Sequence, residues 1–444
     1  MDKQILKKTF ACIATVTLLG QFGVTFDTVY AAENNINSVN LRADKAVDFD
    51  KDKEKAMEWA ENHSKTWKKT LNNEQKKLLN DTGRLEEMNK QLEIFDQGEI
   101  SKQVEKDIVT MDKALDNKNA QLSKPLYVYK YLKCEDVGYK EGFFHQKDQK
   151  NKVDREKYQK LVNEFKYGSI NTFMNADLIQ GSTNQSTPIL LSLKLPKGTK
   201  VGHLNEEHII MERNLGIEIK KTSIIVEKGR EVIKLEGEVV PKEKIQEKVK
   251  TVESNINQKF KEITGLNQDL LKLKIDNLYT SASLERAQTI LKQLISNVPN
   301  NLLINIMKNM NTTLFTLTDK RLDSKNEDIL GYYHTKEKTL KIQVNHLGHK
   351  EAEGNDTNTL LHEFGHAVDD LLIKGERPSI SSEFINIYEK EKNNITIEPY
   401  IKTNSVEFFA GVFNYLHSPN LSDREQIQKE APEACKFIQN LIKG

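Results

Sequence analysis

The segment around residue 364 constrains the fold most strongly, because its apolar residues recur at the spacing of a helix that must be buried. The residues that share this apolar stripe are Leu360, Leu361, Phe364, Ala367, Val368, Leu371 and Leu372. Spacings of three and four residues place them on one side of a helix, so the pattern predicts a helix packed into a hydrophobic core. The same helix carries His362, Glu363 and His366 on another flank.

His362 and His366 are four residues apart and therefore lie one turn from each other on the same helix face. Two imidazoles in this arrangement can hold one metal ion, and Glu363 beside the first can take a proton from a water at the open coordination position. The alternative is an ordinary amphipathic core helix. The apolar stripe and the imidazoles occupy different sides of the helix, so the two interpretations do not compete. The pattern favours a zinc peptidase site.

A second core helix is predicted from residue 405 onward, and Glu407 lies in its first turn. Its apolar residues are Phe408, Phe409, Val412, Phe413 and Leu416. Glu407 is a candidate third zinc ligand, and Tyr400 in the preceding loop is a candidate hydrogen-bond donor to a developing oxyanion. The alternatives are a capping box between Asn404 and Glu407, and an ordinary surface tyrosine at position 400. The motif upstream lacks a carboxylate ligand, which favours the ligand interpretation of Glu407.

Residues 362–370 and 400–409 resemble the catalytic domain of the anthrax lethal factor family and the related secreted Pro-Pro endopeptidases. The resemblance extends over about residues 250–444. It implies a zinc-dependent peptidase in which His362, His366 and Glu407 bind the zinc ion. In the same resemblance Glu363 is the general base, and Tyr400 donates a hydrogen bond to the transition state.

Gly411 departs from this family pattern, because family members tend to carry an acidic residue one turn after the third ligand. A carboxylate beside a metal ligand orients that ligand and tunes its basicity. The glycine therefore predicts weaker zinc binding or a slower reaction.

Two strand-like segments, 331–334 and 339–344, precede the metal motif. Residues 339–344 alternate as a strand does, and we expect this strand to be the sheet edge along which an extended substrate adds.

The amino terminus has the pattern of a secretory signal peptide over residues 1–31. Lys3, Lys7 and Lys8 give a positive start, an apolar run follows over residues 10–26, and small residues near Ala31 offer a cleavage site. An uncleaved membrane anchor is the alternative, but the apolar run is short and interrupted. We therefore expect a secreted, extracellular protein with no stable membrane insertion after signal cleavage.

Composition agrees with a soluble exported chain. Its 444 residues predict about two domains, and charged residues make up 30% with a net charge of +1. This balance gives no reason to expect nucleic acid or an anionic membrane as partner. Cys12 lies in the signal peptide, so Cys134 and Cys435 remain, too few for a disulfide framework. Whether these two pair or stay buried is left open.

Residues 45–240 predict a first domain in which charged helices precede a strand-rich half. Helical spacing of apolar residues extends over 45–125. Short strands are predicted at 125–129, 188–195, 208–211, 217–219, 222–226 and 231–240. A charged helix from about Lys242 then begins a second domain, residues 245–444. The expected fold class is α+β, a mixed domain followed by a mainly helical domain with a small sheet.

The first domain resembles the ADP-ribosyltransferase exotoxins, on the strand at 126–130 and on residues 195–201. That family's chemistry needs an arginine, a Ser-Thr-Ser motif and a Glu-x-Glu motif. Here Lys130 replaces the arginine, residues 173–178 read Phe-Met-Asn-Ala-Asp-Leu, and Glu206, Glu207 and His208 replace Glu-x-Glu. Ser186 and Thr187 form a shifted Ser-Thr pair broken by a proline. Lysine cannot make the bidentate contact of arginine to phosphate, so we expect an inactive domain without a cofactor-binding site.

The sequence thus predicts a secreted endopeptidase that needs Zn²⁺ and hydrolyses a host or surface protein, with a zincin-type peptidase domain after an ADP-ribosyltransferase-like domain. A toxin or virulence role is a further expectation, and no translocation partner is identified. Two alternatives stay open: an active NAD-dependent ADP-ribosylating toxin, and a non-catalytic secreted binding protein.

Overall fold

A computed structural model describes residues 45–181, 187–310, 313–323, 325–326, 329–344 and 355–443. The predicted signal peptide, Ser186, and the two histidines at positions 346 and 349 lie outside the described residues.

Four helices begin the described chain: α1 (Lys53–Thr70), α2 (Asn73–Leu79), α3 (Thr82–Ile94) and α4 (Lys102–Leu115). Polar side chains cap their first turns. Asp52 accepts a hydrogen bond from the backbone N–H of Lys55, and Asn72 and Gln75 form a capping box at the start of α2. Trp67 is fully buried and its Nε1 donates to the backbone oxygen of Ala114, 2.7 Å away. The helical character predicted for residues 45–125 follows from this amphipathic packing.

A mixed sheet follows, with one short helix, α5 (Arg155–Glu164), before its second strand. Its strands are β1 (Leu126–Leu132), β2 (Tyr167–Ile170), β3 (Asn175–Asp177), β4 (Ile189–Leu195), β5 (Val201–Asn205), β6 (His208–Met211), β7 (Leu215–Glu227) and β8 (Arg230–Pro241). Among the described residues their order is β2-β7-β8-β4-β1-β3-β6-β5. The two strands predicted at 217–219 and 222–226 are one strand, β7, because the register shift between Ile219 and Lys221 is a bulge within the β7–β8 hairpin.

The second half begins with α6 (Lys242–Thr264), directly after Pro241. It continues through β9 (Leu271–Lys274), α7 (Thr280–Asn297), α8 (Asn300–Lys308), β10 (Phe315–Thr318), β11 (Gly331–His334), β12 (Thr339–Gln343), α9 (Asn355–Leu371), α10 (Ser382–Glu391), α11 (Ser405–Leu416), α12 (Leu421–Glu430) and α13 (Pro432–Lys443). The predicted α+β organisation is confirmed, with a mixed amino-terminal region and a mostly helical carboxyl-terminal region.

The small sheet of the second half has the order β11-β12-β10-β9. β12 pairs in parallel with β10 and antiparallel with β11, so it is an interior strand. The prediction that residues 339–344 form the sheet edge is therefore wrong, and in the part of the chain that the structure describes the edge strand on that side is β11. Strand order depends on long-range pairing, and alternation within one segment does not reveal it.

Polar contacts join the two halves where the carboxyl end of α3 meets the turn after β10. The Lys320 ammonium, almost fully buried, donates to the backbone oxygens of Leu92 and Glu93 at 2.8 and 2.9 Å. The backbone N–H of Arg321 donates to the Ile94 oxygen at 2.8 Å. These donors satisfy carbonyl groups that a helix end leaves without partners. The described residues from Lys45 onward belong to one compact unit.

Cys134 and Cys435 are both buried free thiols, so the pairing that was left open is absent here. Among the described residues, no helix combines the length and the apolar character that a membrane span requires.

Candidate metal centre and active-site cleft

The candidate centre is built on α9 and α11, which pack closely against each other. The stripe predicted for α9 is buried from Leu360 to Leu371, whereas Leu372 follows the end of the helix and is partly buried. The two helices approach closely at Gly365, because a Cβ atom there would lie 2.9 Å from Ala410 Cα and 3.0 Å from the Ala410 backbone oxygen. The two helices therefore meet between the two histidines of α9 and one turn after Glu407 of α11.

His362, His366 and Glu407 come together at this contact. Glu407 Oε2 lies 3.0 Å from His362 Nε2 and 3.5 Å from His366 Nε2. One ligand atom from each of the three residues lies within 4.8 Å of the others, and they form the one candidate metal-binding group in the described part of the chain. All three side chains are mostly buried, with exposed fractions of 14% to 19%. Two nitrogens and one carboxylate oxygen are a donor set that suits zinc.

Glu407 carries the negative charge of this group. Burial alone would raise the pKa of its carboxyl, but hydrogen bonds to His362 and His366 hold that pKa well below its usual range. Asn404 caps α11, since its side chain accepts from the backbone N–H groups of Val406 and Glu407 at 3.0 Å each. Only half of the capping-box alternative is present, because the Glu407 carboxylate faces the histidines.

Glu363 lies beside His362 with 9% of its surface exposed. Burial raises the pKa of its carboxyl to about 7, against the opposing effect of His362. Its side chain packs on the edge strand β11, where a Cβ at Gly331 would lie 3.1 Å from Glu363 Cγ. A side chain at position 331 would therefore crowd this carboxyl.

Tyr400 lies on the short 3-10 turn Pro399–Lys402, just before α11. Its side chain is 59% exposed, and its ring centre is 6.1 Å from that of His362. Partial burial and, to a smaller extent, the negative charge of Glu407 raise the pKa of the phenol to about 12. The hydroxyl therefore remains a proton donor at neutral pH.

All five predicted site residues line one cleft of about 670 Å³, together with β11. Sequence reasoning missed Arg377, Asn414 and Tyr415, which line the same cleft. Arg377 is held by Asp369, a fully buried carboxylate that accepts from its Nε and Nη2 at 3.0 and 2.9 Å. The one signal in the sequence was Asp369, which lies one turn after His366 in a helix predicted to be buried. A buried carboxylate needs a charged partner, and Arg377 is that partner.

Gly411 lies one turn after Glu407, against the side chain of Ile401. A Cβ at position 411 would lie 2.2 Å from Ile401 Cγ2. The space next to the Cα of residue 411 is thus filled by an apolar side chain.

The altered Glu-x-Glu segment lies at the turn between β5 and β6. Lys53 Nζ lies 2.7 Å from Glu206 and 3.1 Å from Glu207. His208 Nδ1 is 2.5 Å from Asp177 Oδ1, directly across from it in the β3–β6 pair. This hydrogen bond raises the pKa of His208, so the position carries a paired imidazole. Lys130 lies on β1, where burial lowers the pKa of its ammonium.

Comparison with known families matches two separate regions of the chain to two different families. Residues 56–242 match the family model described as ADP-ribosyltransferase exoenzyme. Residues 248–441 match the one described as anthrax toxin lethal factor, N- and C-terminal domain. Both resemblances expected from the sequence are thereby confirmed.

The curated relative is lethal factor of Bacillus anthracis, 29% identical over 367 residues. The match covers 78% of this chain and 45% of lethal factor, so the chain spans less than half the length of that relative.

Solved structures with partial likeness include two ADP-ribosylating toxins. Plx2a, an ADP-ribosyltransferase toxin from Paenibacillus larvae, has 27% identity and a TM-score of 0.40, over 44% of this chain and 99% of that one. The ADP-ribosylating toxin BECa of a binary enterotoxin of C. perfringens has 21% identity and a TM-score of 0.40, over 58% and 61%.

Proposed function

We propose that this protein is a secreted zinc-dependent endopeptidase. The observation that carries the proposal is the convergence of His362, His366 and Glu407, with Glu363 adjacent, at the floor of one cleft. The similarity of residues 248–441 to lethal factor supports the same function.

The three ligand residues fit a zinc ion. Zinc bound tetrahedrally at about 2.0–2.1 Å would place neighbouring ligand atoms about 3.3 Å apart. The two distances from Glu407 to the histidine nitrogens, 3.0 and 3.5 Å, bracket this value. When bound, the ion would polarise the scissile carbonyl and make a water more acidic.

The chain's own residues supply the proton transfers. Glu363, adjacent to His362 and shielded by β11, accepts a proton from the attacking water and passes it to the leaving nitrogen. Tyr400, a proton donor at neutral pH, hydrogen-bonds the oxygen that develops negative charge. Backbone groups of β11, the edge strand of this sheet among the described residues, can align an extended peptide beside the cleft.

The substrate class is therefore a protein or peptide bound in extended form. The signal-like amino terminus supports secretion and an extracellular substrate, and the relatives support a toxin or virulence role. We further propose two domains, residues 45–240 and 245–444, with the boundary at the start of α6.

ADP-ribosyl transfer is the second candidate, favoured by the match of residues 56–242. We propose that this region is inactive. Glu206 and Glu207 share one lysine, and His208, paired with Asp177, supplies no negative charge. NAD hydrolysis that disappears in Glu207→Gln would overturn this assignment. A non-catalytic binding protein, the third alternative, would have no need of five convergent catalytic-type side chains.

The test is cleavage of a diverse peptide library by the wild-type protein and by Glu363→Gln, a variant of equal size that lacks the base. One zinc per chain in both proteins, with cuts only by the wild type, is the expected result. Cleavage retained in Glu363→Gln would reject the assigned base. Absence of bound zinc from both proteins would favour the binding-protein alternative.

A further inference from the structure

The turn that carries Tyr400 packs on α11, and Ile401 makes a close apolar contact with that helix. Ile401 is 1% exposed, whereas its neighbour Tyr400 is 59% exposed. The Ile401 side chain packs directly on the Cα of Gly411. A Cβ at position 411 would lie 2.2 Å from Ile401 Cγ2, 2.6 Å from its Cβ and 3.0 Å from its Cδ1. Ile401 is therefore buried against the helix, while Tyr400, which precedes it, is exposed and lines the cleft.

Gly411 is needed for space and not for backbone conformation. It lies inside α11, and it is not among the glycines with positive φ. A glycine in the interior of a helix lowers the helix's stability relative to alanine, so its presence needs another reason. The reason here is that any side chain at this position would occupy the volume of Ile401.

The Ile401–Gly411 contact also fixes a distance that matters for catalysis. Glu407, one turn before Gly411, belongs to the same rigid helix, and Tyr400 precedes Ile401 in the same turn. The phenol is therefore held relative to the metal centre by this contact. Hydrogen bonds provide additional support, from Tyr388 Oη to the Lys402 backbone oxygen at 2.8 Å and from the Ile401 N–H to Glu398 at 3.3 Å.

We propose that Ile401 and Gly411 are a matched pair of positioning residues that hold the Tyr400 hydroxyl over the metal centre. This inference rests on the proposed peptidase function, in which Tyr400 donates to the oxyanion. Gly411 makes room for the residue that seats the turn, and the expectation that the missing carboxylate weakens zinc binding stays a separate prediction.

Gly411→Ala is the direct perturbation. Rotation of the Ile401 side chain moves its Cγ2 and Cδ1 but leaves its Cβ 2.6 Å from the new methyl group. Carbon atoms in contact prefer about 3.5–4.0 Å, so the backbone of the turn must move by roughly 1 Å. A displacement of this size at a catalytic group can reduce the rate by about 100-fold.

The expected result is a kcat lowered by about 10- to 100-fold, with zinc stoichiometry and zinc Kd unchanged within about twofold. Adding Ile401→Gly to Gly411→Ala removes the three Ile401 atoms that clash with the new methyl group. This double variant should therefore have a higher kcat than Gly411→Ala alone. The same substitution made in a Tyr400→Phe protein tests whether Gly411 acts through the Tyr400 hydroxyl. If Gly411 acts through Tyr400, adding Gly411→Ala to Tyr400→Phe should leave kcat unchanged within about threefold.

Two kinetic outcomes would overturn the proposal. One is that Gly411→Ala lowers kcat by the same factor in the Tyr400→Phe protein as in the wild type. The other is a zinc Kd that rises in parallel with the loss of kcat, since the whole centre would then be altered.

A crystal structure of Gly411→Ala separates this inference from the proposed function. The turn Pro399–Lys402 should shift by about 1 Å relative to α11. An unmoved turn rejects the positioning pair. A shifted turn in a protein whose wild type cleaves no peptide retains the packing argument and rejects the peptidase.

Discussion

Gly365 lies where α9 and α11 pack closely beside the candidate metal centre, and Gly365→Ala should loosen that centre. The new Cβ would lie 2.9 Å from Ala410 Cα, 3.0 Å from the Ala410 oxygen and 3.3 Å from Phe413 Cβ. Two of these three are backbone atoms, which cannot rotate away. α9 and α11 must therefore separate by several tenths of an ångström.

Two opposing effects set the size of the change in stability. Alanine is favoured over glycine in a helix by about 1 kcal/mol. Overpacking of a core typically costs about 1–3 kcal/mol, and contacts with backbone atoms belong at the upper end of that range. We expect Gly365→Ala to destabilise the zinc-free protein by about 2 kcal/mol. Separation of the helices also moves Glu407 from the histidines, so the zinc Kd should rise about tenfold or more.

The assay is urea unfolding of the zinc-free protein, followed by zinc titration against a competing chelator. Gly83→Ala is the matched control, because the same change in α3 meets nothing closer than 3.6 Å and should stabilise by up to about 1 kcal/mol. If Gly365→Ala matches the wild type in both midpoint and zinc Kd, the close approach of α9 and α11 does not fix the ligands.

Three further predictions concern stability, pH and metal removal. Asp369→Asn should destabilise the protein by about 3 kcal/mol, measured by urea unfolding, because Arg377 and Ser379 lose a buried carboxylate acceptor; a loss below about 1 kcal/mol would contradict this account. The His208 pKa is raised by its hydrogen bond to Asp177, so its stabilisation is fully present below the unfolded pKa of about 6.5 and is lost as pH rises through the higher folded pKa. The stability difference between wild type and His208→Gln should therefore shrink from about pH 6 to pH 8, and a difference that grows would refute the pairing. Removal of zinc should lower the unfolding free energy by about 2.7 kcal/mol relative to protein with free zinc at 100 times Kd, and the same treatment should have little effect on Glu407→Ala.

Local spacing was sufficient to pair the two histidines of the candidate metal centre. Positions four apart on a helix share a face whatever surrounds them, so His362 and His366 could be paired from sequence. Glu407 required a further argument, because the same position fits a capping box with Asn404. Its approach to the histidines depends on Gly365, and that contact is not visible in either helix alone.

Features that depend on strand order or on contacts between distant segments were not predictable in the same way. Residues 339–344 alternate like an edge strand but lie between β10 and β11. The expectation that Gly411 weakens zinc binding stays a prediction, whereas the close contact of position 411 with Ile401 depends on a separate segment and was not predictable from the sequence. Asp369 in the buried helix signalled that a charged partner was needed, but the sequence did not identify Arg377, because that contact depends on a loop that returns to the helix.

The central claim is that His362, His366 and Glu407 hold one zinc ion, and anomalous scattering at the zinc absorption edge tests it most directly. Crystals of the zinc-loaded protein should show one strong peak at about 2.0–2.2 Å from His362 Nε2, His366 Nε2 and a Glu407 oxygen. No peak at this position with zinc in excess, or a peak bound only by other residues, would contradict the claim.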